Sequence, residues 1–198
     1  MLAPQALIAL AAQCAPGVAP STLLAIARAE SGLDPLAIGV NGPGARRPRP
    51  RTPGDAVAAA KALLAAGRDI DLGLAQINVR TSRRLGLSLE GAFDPCRNLA
   101  AAAAVLREGY RRGRGRHGPG QAALRVALSV YNTGHAQRGF ANGYVARVIA
   151  QAGQPLPAPP DAQPRTTESR PPPAAWDVFG RAAARPTRFV ISAAGVTP

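Results

Sequence analysis

The sequence predicts a mainly α domain followed by a Pro-rich tail, and three observations carry that prediction. Apolar residues recur at three- and four-residue spacing in one segment after another. Those segments tend to begin at Pro, Ser, Thr or Asp-Pro and to end at Gly or a Gly-containing turn. Only one run, Leu36 to Gly42, reads as a β-like excursion.

The first helix is expected from Pro4 to Gln13, stopped by Ala15-Pro16-Gly17. A second starts at Pro20-Ser21, places Leu23, Ile26 and Ala27 on one stripe, and ends at Gly32 before Asp34-Pro35. After the β-like excursion, Pro43 to Gly54 is an Arg/Pro/Gly loop. Thr52-Pro53-Gly54-Asp55 opens the next helix, with Thr52 as N-cap and Pro53 at its first position, running through Leu63 and Leu64 to Gly67. The stretch Asp69 to Asn78 is short, mixed and turn-rich, and leads into a helical piece toward Arg84. Asp94-Pro95-Cys96 precedes a long alanine-rich helix from about Arg97 to Arg111, with Leu99, Ala102, Ala103 and Leu106 on one face. A Gly/Arg/His loop, Gly113 to Gly120, connects it to a helix carrying Leu124, Ala127, Leu128 and Tyr131 on one side. The last helix covers about Gly143 to Ala152, with Val145, Val148 and Ile149 inward. From Gly153 the composition shifts to clustered prolines, so residues 1–152 are expected to form the folded domain and 153–198 a Pro-rich, disordered tail. Trp176, Phe179, Phe189, Val190 and Ile191 in that tail are either docking anchors for a partner or a small satellite packed on the domain.

The chain has 198 residues, 46% of them hydrophobic, enough to supply one core. Its formal net charge is +13, nearly all from Arg, because Lys61 is the only lysine. Arg46, Arg47, Arg49 and Arg51 form one cluster, and Arg111, Arg112, Arg114 and Arg116 another, which suits an anionic partner surface without choosing among cell-wall polymer, lipid and nucleic acid. Only His117 and His135 join Cys14 and Cys96, with no Cys-x-x-Cys pair, so no metal site or cofactor is expected. The two cysteines suit either one disulfide in an oxidising compartment or two buried thiols. No stretch approaches the roughly 18 consecutive apolar residues of a membrane span. The apolar N-terminus lacks a basic leader and reads as a domain helix rather than a signal peptide.

Glu30 is the residue around which chemistry can be built. It follows Ile26 and Ala27 on the apolar stripe of its helix and stands in the last turn, at the negative end of the dipole. Burial and dipole would both disfavour the carboxylate, keep the acid protonated near neutral pH and equip it as a general acid; a Glu that snorkels from the helix end into water is the alternative the helix alone leaves open.

Four segments then fall in order: Ala29-Glu30-Ser31-Gly32-Leu33-Asp34-Pro35, Gly73-Leu74-Ala75-Gln76-Ile77-Asn78, Ala127-Leu128-Ser129-Val130-Tyr131-Asn132-Thr133-Gly134, and Gly143-Tyr144-Val145. As a set they resemble the lytic transglycosylases of the goose-lysozyme-like superfamily, and within it the VirB1 type associated with type IV secretion and conjugation. The surroundings of Cys14 and Cys96 resemble that subgroup too. The resemblance covers about residues 5 to 150. It implies a lysozyme-like, SLT-type fold and cleavage of the β-1,4 bond between N-acetylmuramic acid and N-acetylglucosamine in peptidoglycan, with a 1,6-anhydromuramoyl product. Glu30 is the implied acid/base; Ser31, Gln76, Asn78, Tyr131 and Asn132 are the implied substrate contacts, Tyr131 donating to Glu30 or to the sugar. Ala75 departs from the pattern, since many relatives carry Met there, and apolar contact below the sugar is expected to be thinner. Asp69 and Asp71 are the nearest second carboxylates; a role in hydrolysis is the alternative to solvated or capping residues. The implied setting is the periplasm or cell envelope. Peptidoglycan strands and, through the tail, secretion components are the implied partners, and nucleic acid is not expected. A hydrolytic muramidase and a non-enzymatic basic assembly module are the alternative readings.

Overall fold

A computed structural model describes residues 1–44 and 46–154. Pro4 and Pro20 each stand at the start of a helix, where a missing N–H costs nothing, and open α1 (Pro4–Cys14) and α2 (Pro20–Ser31). Strand β1 (Ile38–Val40) follows. Helix α3 (Pro53–Ala65) begins in a capping box: the Asp55 amide donates to Thr52 Oγ1 and the Thr52 amide to the Asp55 carboxylate, both at 3.1 Å. Then come β2 (Ile70–Leu72), β3 (Ile77–Asn78), α4 (Val79–Arg84), α5 (Leu89–Phe93), α6 (Pro95–His117), α7 (Gln121–Thr133), α8 (Arg138–Ala141) and α9 (Tyr144–Ala152). The architecture is mainly α, and among the described residues no helix is long and apolar enough to cross a membrane.

Helix α2 runs through the main core, with Leu23, Ile26 and Ala27 fully buried beside Leu7 of α1, Leu99 and Ala102 of α6, Ala127 of α7 and Val145 of α9. A second core lies against the small sheet, where Ile38, Ile70 and Leu72 meet Ala56 and Ala60 of α3 and Phe93 of α5. Cys14 and Cys96 are joined in a disulfide that ties the end of α1 to the first turn of α6, with their Cα atoms 5.4 Å apart.

The structure departs from the sequence-based expectation in four places. The turn-rich stretch Asp69 to Asn78 also holds two short strands on either side of its turn: β2 pairs antiparallel with β1, Ile38 opposite Leu72 and Val40 opposite Ile70, and with β3, Leu72 opposite Ile77. Strands of two or three residues are too short to display a period of two. Helix α6 does not stop at Arg111 but continues to His117. Gly109 and Gly113, the latter read as the start of a loop, are buried against α7; a Cβ on Gly109 would lie 3.0 Å from the Ala127 carbonyl oxygen, and one on Gly113 2.7 Å from that of Ala123. Their missing side chains let two backbones approach rather than break a helix. In α9, Tyr144, Val145 and Val148 take the inward face, which rotates Ile149 to the flank, 44% exposed rather than inward. The short helices α5 and α8 carry no repeat long enough to announce them. Of the expected tail, residues 155–198 with their aromatic anchors lie outside the described residues.

Candidate active site

Glu30 occupies the last turn of α2 and faces a cavity of about 100 Å³ lined also by Asp71, Gln76, Ile77, Asn78, Thr81, Val105, Tyr131 and Asn132. The cavity shares Asp71, Asn78, Thr81, Val105, Tyr131 and Asn132 with a groove of about 680 Å³ that continues past α4 and α6. A more apolar cavity of about 540 Å³ lies elsewhere, between the α1–α2 turn, α6 and α7, but no carboxylate lines it. Chemistry rather than volume selects the Glu30 cavity.

Burial pushes the Glu30 carboxyl from 4.5 up to about 7; the nearby Tyr144 hydroxyl and the Arg147 guanidinium pull it down, and the Asp71 charge adds to the rise. Near pH 7 such an acid is half protonated and can both give and take a proton. The Tyr144 hydroxyl is buried and has no hydrogen bond of good geometry. Its influence on Glu30 is therefore that of a close dipole, and burial first, then the Glu30 charge, hold its own proton firmly. Arg147 stacks over the Tyr144 ring at 5.6 Å.

Asp71 shares this cavity. Burial raises its carboxyl above the usual range, opposed by amide donors from Asn78 to Oδ1 at 2.8 Å and from Asn41 to Oδ2 at 3.1 Å. Asp69 holds Asn78 from the other side, accepting from Nδ2 at 2.9 Å.

The remaining residues singled out in the sequence are tied to the protein itself. Ser31 donates to the Leu74 carbonyl at 2.7 Å, with the Ala27 carbonyl at 3.1 Å, which fastens α2 to the turn after β2. Gln76 Nε2 donates to the carbonyls of Gly73 at 2.9 Å and Ala37 at 3.1 Å. These bonds hold Gln76 at φ 48, a left-handed conformation that side chains other than Gly rarely adopt. Asn78 caps α4, its Oδ1 accepting from the Arg80 amide at 3.0 Å, while its Nδ2 serves the two aspartates. Tyr131 donates to the Ala75 carbonyl at 2.7 Å rather than to Glu30. Asn132 Oδ1 accepts from Asn142 at 2.9 Å, and the exposed side chain lines the cavity mouth. Ala75 is fully buried in the core and does not line the cavity, so its small side chain faces protein rather than sugar.

Two residues escaped the sequence reading. Tyr144 stands in a quoted motif, yet its buried face gave no sign that its hydroxyl comes near Glu30. Asn98, 1% exposed in the first turns of α6, accepts from the Ala75 amide at 2.9 Å and donates to the carbonyls of Leu72 at 2.9 Å and Ala92 at 2.8 Å. A polar residue within an alanine-rich apolar stripe was the one available signal for it.

The Transglycosylase SLT domain matches residues 8–152. The chain is similar to Protein virB1 of Agrobacterium fabrum (strain C58 / ATCC 33970), 42% identical over 171 residues, which cover 86% of this chain and 69% of that protein. It is equally similar to Protein virB1 of Rhizobium radiobacter, 42% identical over 173 residues, 86% of this chain and 70% of that protein. Type IV secretion system protein virB1 of Brucella abortus biovar 1 (strain 9-941) is 40% identical over 151 residues, 73% of this chain and 63% of that protein. No solved structure gives a significant match.

Proposed function

The chain belongs to the transglycosylase SLT family, as a lytic transglycosylase of the VirB1 type with a lysozyme-like fold, and from that premise we propose that Glu30 is its single acid/base. The observation that carries this reading is a carboxyl raised to about 7 that faces a polar cavity. In the ground state the protonated Glu30 donates to the oxygen linking N-acetylmuramic acid to N-acetylglucosamine. As the C1–O4 bond breaks, its electron pair stays on O4 and takes the Glu30 proton. The muramoyl 6-hydroxyl oxygen then bonds to C1 and passes its proton to the Glu30 carboxylate. A 1,6-anhydromuramoyl end results, Glu30 is restored, and no water is consumed.

Asn132, exposed at the cavity mouth, and Gln76 on the cavity wall are the groups best placed to meet the sugar. Asn78 and Tyr131 contribute by holding the cavity walls and Ser31 by fastening α2 behind them, with the Tyr131 hydroxyl oxygen able to accept from the glycan. A second reading, hydrolysis at C1, is favoured by Asp71, a second carboxylate in the same cavity whose charge acts on Glu30. The names of the Brucella relatives support a setting in a type IV secretion machine. The enzyme would there open peptidoglycan locally in the envelope, its tail contacting the apparatus.

The deciding experiment is mass spectrometry of the products released from purified sacculi by the protein and by Glu30→Gln. Anhydromuramoyl ends that vanish in the variant are expected. Reducing muramic acid ends would transfer the reading to hydrolysis with Asp71, and an active Glu30→Gln would overturn the assignment of the acid.

A further inference from the structure

The two sides of the groove carry opposite charge. The sheet side holds Asp69 and Asp71, both engaged by Asn78 and Asn41. The side built by α4 and α6 holds Arg80, Arg84 and Arg112 against one acid, Glu108, an excess of two positive charges. Glu108 spends both oxygens there: Oε2 accepts from Arg84 at 2.9 Å and Oε1 from Arg112 at 2.5 Å. Those arginine side chains stay 55% and 57% exposed, with further guanidinium N–H groups left over. Arg80 is exposed and makes no ion pair with a carboxylate among the described residues.

The sugar rings of a glycan strand are neutral and have no use for such a cationic wall. Their peptide stems do, because each ends in or carries free carboxylates, and a guanidinium recognises a carboxylate in a planar, two-point fashion. The wall is continuous with the Glu30 cavity through Thr81 and Val105, so a stem leaving a muramic acid held there can run along α4 and α6. We infer that Arg80 and Arg84, with Arg112 behind them, form a binding site for the carboxylates of the peptide stem, so that the preferred substrate is glycan that still bears stems. This rests on the reading of the cavity as a peptidoglycan site, and it adds a specificity that Glu30 cannot supply.

The test measures equilibrium binding, which does not depend on turnover, using Glu30→Gln protein to prevent cleavage. Three probes separate the possible sources of the carboxylate: a neutral N-acetylglucosamine tetrasaccharide, a muropeptide tetrasaccharide with its tetrapeptide stems, and the latter after amidase removal of the stems, which leaves only lactyl carboxylates. Stems are expected to tighten binding about tenfold over the stem-free glycan, as for one or two charge-assisted hydrogen bonds. The gain should shrink with added salt and disappear in Arg80→Ala/Arg84→Ala, with stem-free binding unchanged. Arg80→Ala alone, which breaks no ion pair, should lose part of the gain and guards against a folding defect in the double variant. Equal affinity for stemmed and stem-free glycan, or a stem advantage that survives the double variant, overturns the inference. A gain already complete with lactyl carboxylates overturns it in favour of the muramic acid itself. Whether the protein cuts glycan is read separately, from anhydro ends released by the unsubstituted chain.

Discussion

Placing a carboxyl where burial raises it has a cost that Glu30→Gln should reveal. Between pH 4.5 and pH 7 the folded protein keeps a proton on Glu30 that the unfolded chain has already released, so this group makes stability fall as pH rises through that window. Below it both states are protonated and the penalty is absent; above it the penalty is complete. A rise from 4.5 to about 7 amounts to about 3 kcal/mol, at about 1.4 kcal/mol for each pKa unit. Glutamine has the same shape and no charge to desolvate. Glu30→Gln is therefore expected to match the unsubstituted protein near pH 4 and to exceed its stability by up to about 3 kcal/mol at pH 8, roughly 6–12 °C in Tm. Urea unfolding of both proteins at the two pH values measures this, and titrating groups remote from Glu30 cancel in the comparison. A stability difference that does not grow with pH, or a variant weaker than the parent at pH 8, refutes the claim that the site desolvates its acid.

The electrostatic partners of Glu30 act in opposite directions, which gives a test of sign. Asp71→Asn removes a charge that raises Glu30, so the alkaline limb of glycan cleavage should move to lower pH; Tyr144→Phe removes a group that lowers it and should move the same limb to higher pH. Both are read from the pH dependence of anhydro-product release. The Cys14–Cys96 disulfide closes a loop with a sequence separation of 82, so Cys14→Ser should cost about 2–4 kcal/mol, measured by denaturant unfolding under non-reducing conditions. Gly113→Ala gains helix propensity of about 1 kcal/mol, but its Cβ would meet the Ala123 backbone at 2.7 Å. Overpacking against a backbone typically costs about 1–3 kcal/mol, so a net loss of stability is expected, and a stabilised variant would show that α6 and α7 can move apart.

The larger helices and their starts were legible because their signals are local. Pro4, Pro20, Thr52 with Asp55, and Asp94-Pro95 act within one turn of where they stand, and Leu23, Ile26 and Ala27 repeat over enough residues to show a period. The run Leu36 to Gly42 announced β1, but the pairing of β2 with it, the last turns of α6 and the exposure of Ile149 were not legible, because each is decided by a partner distant in sequence. Gly113 resembles a loop glycine until Ala123 is known to lie against it. In the candidate site, the burial of Glu30 could be read from its own helix. The hydroxyl near it could not, since Tyr144 arrives from α9, more than a hundred residues later.

The Gly73-Leu74-Ala75-Gln76 segment shows what a recognisable motif near such a site is for. Gly73 turns at φ 74 with the Ala92 carbonyl and the Asn98 amide packed where a Cβ would be. The Leu74 carbonyl takes the Ser31 hydroxyl from α2, the Ala75 amide meets Asn98 of α6, and the Ala75 carbonyl takes the Tyr131 hydroxyl from α7. Gln76 folds back on Gly73 and Ala37. Three helices thus grip one turn between β2 and β3 by its backbone, and the turn is rigid because its polar groups are spent on that grip. Since Ser31 adjoins Glu30 and Asp71 lies on β2, the same bonds fix the acid against the second carboxylate and the opening of the groove. Ser31, Tyr131 and the Gln76 amide nitrogen therefore help build the frame that sets this spacing, and a substitution in the frame, such as Asn98→Ala, should reduce the release of anhydro ends by loosening Glu30 without touching the glycan.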